Sequence, residues 1–191
     1  MLRQPLVFLD LETTGMLAAG ERITEIGLIE IAEGEFVGSW SQLVNPQKSI
    51  PPFIQSLTGI SDEMVKHAPS FGQLAPALFE RLEGKLLIAH NARFDCGFLK
   101  NEFDRVGLSY DPRVLCTVKL SRKLFPEHRH HNLDSLIERH DLRCSARHRA
   151  LGDAEVLWRF LQKIQVEVDA VRIDAALRAQ LDAPGVPVAA Q

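Results

Sequence analysis

The sequence predicts a mixed α/β sheet with helices packed on its faces. Three strand-like runs come first, separated by Gly15, Gly20 and Gly34. After Pro51-Pro52 the periodicity turns helical, then alternates with two further short apolar runs. The first run is also apolar on both of its faces, as a central, covered strand must be.

Taken in order, strands are read over residues 5–12, 24–31 and 39–44, joined by short turns that suggest an antiparallel start to the sheet. Ser61 can cap a short helix, with Asp62 and Glu63 in its first turn. Ser70 caps another that runs to about residue 82. A fourth strand is read at 85–90, a helix near 95–106 and a fifth strand near 114–118. Asn132 caps a helix ending near His140, and a single last helix is read from about 150 to 181, stopped by Pro184 and Pro187.

A chain of 191 residues, 46% of them apolar, suits one domain with a substantial core and argues against disorder. The net charge of −3 fits poorly with a protein that coats long nucleic acid, but it allows a groove that grips a few phosphates through cations. From Arg113 to Arg149 the balance reverses, with nine Lys or Arg against four acids and five of the seven histidines. That segment is either a solvated basic surface or the border of a polyanion site. Cys96, Cys116 and Cys144 are odd in number and form no Cys-x-x-Cys pair, which argues against a disulfide framework or a zinc site and fits a reducing compartment. The apolar run at residues 6–11 is broken by Asp10, so it is not read as a signal peptide. No apolar run reaches membrane-spanning length, and a cytoplasmic location is expected.

The chemistry begins in the first strand. Val7, Leu9 and Leu11 share one face; Leu6, Phe8, Asp10 and Glu12 share the other. Two acids thus sit side by side at the end of a covered strand, a costly arrangement unless a cation compensates them. Alone, the pair also reads as a strand emerging into solvent. Asp95 heads a helical stripe of Phe98, Leu99, Phe103 and Val106, and Asp153 heads one of Leu157, Phe160, Leu161 and Ile164. Each acid alone reads as an ordinary helix N-terminal residue. Together with the strand pair they suggest convergence, because α/β sites form at strand C-termini and helix N-termini. Four carboxylates without Lys or Cys partners imply hard divalent cations, Mg²⁺ or Mn²⁺. Two such ions about 3.5–4 Å apart can clamp a phosphodiester displacement. His148, five residues before Asp153, is expected on the loop entering the helix. Histidine suits a general base near neutral pH, although spacing alone reads it as one more histidine of a basic loop.

Three segments carry a family resemblance: Phe8-Leu9-Asp10-Leu11-Glu12-Thr13-Thr14-Gly15, His90-Asn91-Ala92-Arg93-Phe94-Asp95 and His148-Arg149-Ala150-Leu151-Gly152-Asp153-Ala154. In order and content they resemble the three motifs of the DEDD exonuclease superfamily, in its histidine-containing branch, and are similar to the proofreading epsilon-subunit family of bacterial DNA polymerase III. Residues 57–60 and 132–136 also look like family segments. The resemblance covers residues 5–165, taken as an exonuclease domain spanning 1–165; residues 166–191 are expected to form a helical extension and a flexible tail.

The resemblance implies a ribonuclease H-like fold, a five-stranded mixed sheet whose second strand alone is antiparallel. It implies a 3′→5′ exonuclease that releases nucleoside 5′-monophosphates from single-stranded DNA ends, in proofreading or repair. A polymerase subunit or another repair protein is the partner class. Asp10 would bridge two cations, Glu12 and Asp153 would complete one site, and Asp95 would support the other, partly through water. His148 would take the proton of the attacking water. Thr13, Thr14 and Gly15, with Leu57, Thr58 and Gly59, would contact the terminal nucleotide. His90, Asn91, Phe94 and Phe98 would bind substrate or only shape the pocket. The His130-His131 pair is not a family feature, and it reads as a solvated loop or a phosphate contact. RNA trimming, a catalytically silent binding module and an aspartate-nucleophile phosphatase remain alternatives. The last needs a second Asp two residues after the first, where this chain has Glu12.

Overall fold

The computed structural model describes residues 4–182. Five strands form one sheet: β1 (Leu6–Thr13), β2 (Ile23–Ala32), β3 (Glu35–Leu43), β4 (Leu86–Ala89) and β5 (Val114–Cys116), in the spatial order β3-β2-β1-β4-β5. β2 runs antiparallel to both of its neighbours, while β1, β4 and β5 are mutually parallel. This is the mixed topology that the resemblance implied. The β2–β3 turn places Glu33 and Gly34 at φ 53° and 87°, the left-handed pair favoured in two-residue hairpins.

Helices cover both faces. α3 (Phe71–Leu82) and α4 (Arg93–Arg105) pack on Val7, Leu9 and Leu11 of β1. α5 (Thr117–Leu124), α6 (Leu133–His140), α7 (Ala150–Glu167) and α8 (Ala170–Leu181) pack on Leu6 and Phe8. The alternation read in β1 therefore sorts its side chains into two separate cores. Two short helices, α1 (Pro52–Thr58) and α2 (Asp62–Val65), close a satellite cluster of Ile50, Ile60 and Val65. Ser61 and Asn132 cap α2 and α6 as expected, and Ser70 forms a capping box with Gln73 at the start of α3.

Three expectations need correction. The fifth strand stops at Cys116, and α5 follows at once. Thr117, Leu120, Ser121 and Leu124 are buried at helical spacing, and the Thr117 hydroxyl bonds to His90 and the Ala89 carbonyl. The single last helix is two. Val168 is extended, and the Asp169 side chain accepts the Val171 N–H at 2.9 Å to cap α8. Val168 and Ile173 share one core cluster across that cap, as a hydrophobic staple does. Val106 is not on the buried stripe of Asp95: it ends α4 and is 41% exposed. The tail expected around Pro184 and Pro187 lies outside the described residues. Among the described residues, no helix is long and apolar enough to cross a membrane.

Candidate active site

The register of β1 and β2 builds the floor of the site. Asp10 lies opposite Gly27, and Glu12 lies opposite Glu25. Directly opposed residues of an antiparallel pair share a face, so a glycine gap adjoins one acid and a second acid adjoins the other. The N-terminus of α7 fills the gap. A Cβ on Gly27 would stand 2.3 Å from the Ala150 carbonyl carbon and 2.3 Å from the Leu151 nitrogen. Only glycine admits the helix end at this depth.

Glu25 holds that helix end in place. It is 2% exposed and accepts two bonds from Arg149, at 2.6 and 3.0 Å, and one from the Ala150 N–H at 3.0 Å. A carboxylate at a helix N-terminus is favoured by the orphan N–H groups there. Gly152 tightens the same turn, because its Cβ would meet the Ala146 carbonyl oxygen at 2.2 Å.

The result is convergence. Asp10, Glu12 and Asp153 each offer a carboxylate oxygen within 4.8 Å of the others, and Asp153 is 3% exposed. Asp95 is 2% exposed at the start of α4; it stands outside that trio but is close enough for its charge to act on Asp10. Burial, then Asp95, Asp153 and Glu12, hold the Asp10 carboxyl well above the usual carboxylate range. Burial, then Asp153 and Glu25, push Glu12 up to about 7. Burial pushes Asp95 up to about 8, against backbone hydrogen bonds that lower it. Asp153 is raised by burial and pulled back by Arg147.

Such a cluster is unfavourable unless cations compensate it. Asp95 Oδ2 and Asp153 Oδ1 are buried and have no hydrogen-bond partner among the described residues. Orphaned oxygens beside an all-oxygen donor set fit a hard divalent cation. Asp153 Oδ2 is occupied: it accepts from the Arg147 guanidinium and from the His148 N–H at 3.3 Å. His148 lies on the turn before α7, at φ 58°, on the entering loop where it was expected.

The remaining predicted residues divide by what their side chains do. Thr13 and Thr14 are buried; Thr13 donates to the Gly15 carbonyl at 2.7 Å, and Thr14 bonds Glu21 and the Arg22 N–H. A Cβ on Gly15 would meet Glu21 Cγ at 2.9 Å. Leu57 is exposed, Thr58 is buried and bonded to Ile54 and Ile60, and Gly59 ends α1 at φ 71°. Asn91 is exposed at φ 58°, and Phe94 packs on Phe98 with centroids 4.8 Å apart. His90 Nδ1 pairs with Thr117 at 2.9 Å; burial, reinforced by Arg147, lowers its pKa to about 4, so the ring is neutral at pH 7. His131 is neither solvated nor free for phosphate. It is 9% exposed, between Ser121 at 2.8 Å and the His128 carbonyl at 3.0 Å.

Sequence reasoning missed Glu25, Gly27, Arg147 and Arg149. The first two become visible only once the β1–β2 register is known. Arg147 and Arg149 flank His148 in the basic segment, where charge alone did not separate them from their neighbours.

A family model described as "Exonuclease" matches residues 7–161, a span that includes Asp10, Glu12, Asp95, His148 and Asp153. The chain is 42% identical over 158 residues to the 3′-5′ exonuclease DinG of Bacillus subtilis, covering 82% of this chain and 17% of that protein. It is 38% identical over 163 residues to the PolC-type DNA polymerase III of Caldanaerobacter subterraneus subsp. tengcongensis, covering 83% of this chain and 12% of the polymerase. The chain thus spans less than a fifth of the length of these curated relatives. Among solved structures it resembles exonuclease X in complex with 5′ overhanging duplex DNA, with a TM-score of 0.70 and 24% identity over 90% of this chain and 99% of that one. It also resembles Escherichia coli exonuclease I in complex with a dA16 oligonucleotide, with a TM-score of 0.78 and 16% identity over 90% and 42%. These two likenesses carry the fold.

Proposed function

Because the chain belongs to the exonuclease family, we propose that it is a metal-dependent 3′→5′ exonuclease that hydrolyses single-stranded DNA ends to nucleoside 5′-monophosphates. The observation that carries this reading is the trio Asp10, Glu12 and Asp153, with oxygens within 4.8 Å at a strand end and a helix start. Similarity to a relative named as a 3′-5′ exonuclease supports the direction of attack.

Asp10, Glu12 and Asp153 would hold one or two Mg²⁺ or Mn²⁺ ions, with Asp95 supporting from the side. All-oxygen donors suit both metals. When bound, such ions supply Lewis-acid stabilisation of the attacking and leaving oxygens. The chain's own residues do the rest. His148 accepts the proton of the water whose oxygen forms the new bond to phosphorus, and the 3′ oxygen of the preceding nucleotide departs. Glu25 and Arg149 fix the turn on which Asp153 sits, so the carboxylates are aimed before substrate arrives. The backbone of Thr13–Gly15 and the exposed Leu57 beside Gly59 are the surfaces assigned to the terminal nucleotide. Likeness to PolC-type polymerases supports a role in proofreading or repair beside a polymerase or another repair protein.

The test is degradation of matched single-stranded DNA, mismatched duplex DNA and short RNA of equal length, each with Mg²⁺ and with Mn²⁺. Stepwise loss of 5′-monophosphates from the 3′ end of DNA is expected, and none in EDTA. Preferential trimming of RNA would overturn the substrate assignment. Full activity in a contaminant-free Asp10→Ala protein would overturn the mechanism.

A further inference from the structure

Arg147 is not used in the mechanism above, yet carboxylates on two different helices grip it at the site. Its Nε donates to Asp134 Oδ1 at 2.6 Å, and its Nη1 donates to Asp153 Oδ2. Asp134 is in the first turn of α6 and Asp153 in the first turn of α7. Two carboxylates from two helices therefore fix both the position and the plane of one guanidinium. Nη2 makes no hydrogen bond among the described residues and is not among their buried, unpartnered atoms. The side chain is 28% exposed, so a donor edge remains open to solvent.

We propose that Arg147 is a phosphate-binding residue: held by Asp134 and Asp153, it turns its free Nη2 edge to a non-bridging oxygen of the substrate's terminal phosphodiester and to the 5′-phosphate of the released nucleotide. The proposal rests on the exonuclease reading for the identity of its ligand, but not for the geometry.

Charge argues the same way. Two divalent cations would balance the four carboxylates, and an incoming phosphodiester would then bring one negative charge more. Arg147 and Arg149 both act on Glu12, and each spends Nε and one terminal nitrogen on carboxylates, but Arg149 is anchored on Glu25, outside the four acids, whereas Arg147 is bonded to Asp153 itself. Arg147 acts on Asp10, Glu12 and Asp153 and retains unused donors. A charge needed only to neutralise Asp153 would not require a second grip from Asp134, whose side chain is 68% exposed. Fixing the plane of a guanidinium matters where it must present a fork to a planar or tetrahedral oxyanion.

The experiment compares binding of thymidine 5′-monophosphate with binding of thymidine, by calorimetry at saturating Mn²⁺. It uses wild type, Arg147→Met, Arg147→Lys and Asp134→Ala, and also measures Mn²⁺ affinity and the kcat and KM on single-stranded DNA. Arg147→Met is expected to weaken the monophosphate about tenfold or more, the loss of a charge-assisted hydrogen bond. Thymidine and Mn²⁺ binding should stay within about threefold of wild type. Arg147→Lys should recover part of the loss, because it keeps the charge without the fork. Asp134→Ala should give a smaller loss of the same kind, since it frees the guanidinium without touching Asp153. The proposal falls if Arg147→Met keeps the wild-type preference for the monophosphate, or if its loss only mirrors a loss of Mn²⁺ affinity. Failure of the exonuclease reading shows separately. A wild-type protein that leaves DNA intact yet loses its monophosphate preference in Arg147→Met keeps the phosphate site and loses the activity. One that degrades DNA, with the preference unchanged in Arg147→Met, does the reverse.

Discussion

Replacing Gly27 with Ala tests whether the approach of α7 to β2 sets the geometry of the carboxylates. The added Cβ would stand 2.3 Å from two backbone atoms of Ala150 and Leu151, and neither can rotate away as a side-chain tip could. Ordinary contact begins at 3.4 Å, so the helix end must retreat by about 1 Å. Asp153 lies in the same first turn and must move with it, while Asp10 and Glu12 stay in register with Gly27 and Glu25 of β2. Overpacking of this kind costs about 1–3 kcal/mol, or about 2–12 °C in Tm for a chain of this size. Misplacing a catalytic group by about 1 Å costs about 10²-fold in rate. The assay is turnover of 3′-labelled single-stranded DNA at saturating Mn²⁺, with Mn²⁺ affinity by calorimetry and Tm in EDTA. Gly38→Ala is the control, because a Cβ on that β3 residue meets nothing within 4 Å. A folded Gly27→Ala protein with the turnover and Mn²⁺ affinity of Gly38→Ala would refute the reasoning.

Three further outcomes follow from the same geometry. Asp10→Asn removes an ionisable group whose charged form is opposed by burial, then by Asp95, Asp153 and Glu12; it should raise Tm in EDTA by a few degrees while lowering turnover by orders of magnitude, with an unchanged far-UV spectrum. Glu12 is pushed from 4.5 to about 7 and Asp95 from 3.8 to about 8, so the folded state keeps protons that the unfolded chain has already released. The metal-free protein should therefore lose stability as pH rises from about 4 to 8, while Mn²⁺ affinity rises over the same window with proton release seen by calorimetry in different buffers. Glu25→Ala strands the Ala150 N–H and frees Arg149, and should cost about 1–3 kcal/mol in thermal unfolding and weaken Mn²⁺ binding; unchanged Mn²⁺ affinity would show that Glu25 does not hold the site.

Much of this architecture was legible because its signals are local. The alternation of Leu6 to Glu12 predicted a strand covered on both faces with two acids on one of them, and the structure packs a separate core on each face. Caps at Ser61, Ser70 and Asn132 marked helix starts within a residue. What escaped was either short or distant. β5 has only three residues, too few for a period-2 pattern to stop before the helical spacing of Thr117, Leu120 and Leu124 begins. Asp169 breaks the last helix although acids are common within helices, and only its side-chain bond to Val171 distinguishes it. Glu25 and Arg149 are 124 residues apart. No periodicity reports such a pair, because each is an ordinary charged residue until the hairpin and the helix meet.

The misses and the site have one physical cause. A carboxylate cluster repels itself, so convergence has to be imposed by elements that cannot yield. β1 cannot yield, because β2 pairs it along its whole length and β4 adds a second ladder at Leu6, Val7 and Phe8. α7 could, since a helix end is its least constrained part. The contacts that deny it freedom are those the sequence hid: the glycine gap at 27, the Glu25 carboxylate on the Ala150 N–H, and Arg147 bound to Asp153 itself. In the proposed site the four acids would supply the ligands, and these partners keep the acids together before any cation arrives. Substitutions at Gly27 and Glu25 should therefore change metal affinity without removing a ligand, and substitutions at the acids should remove metal affinity without unfolding the chain.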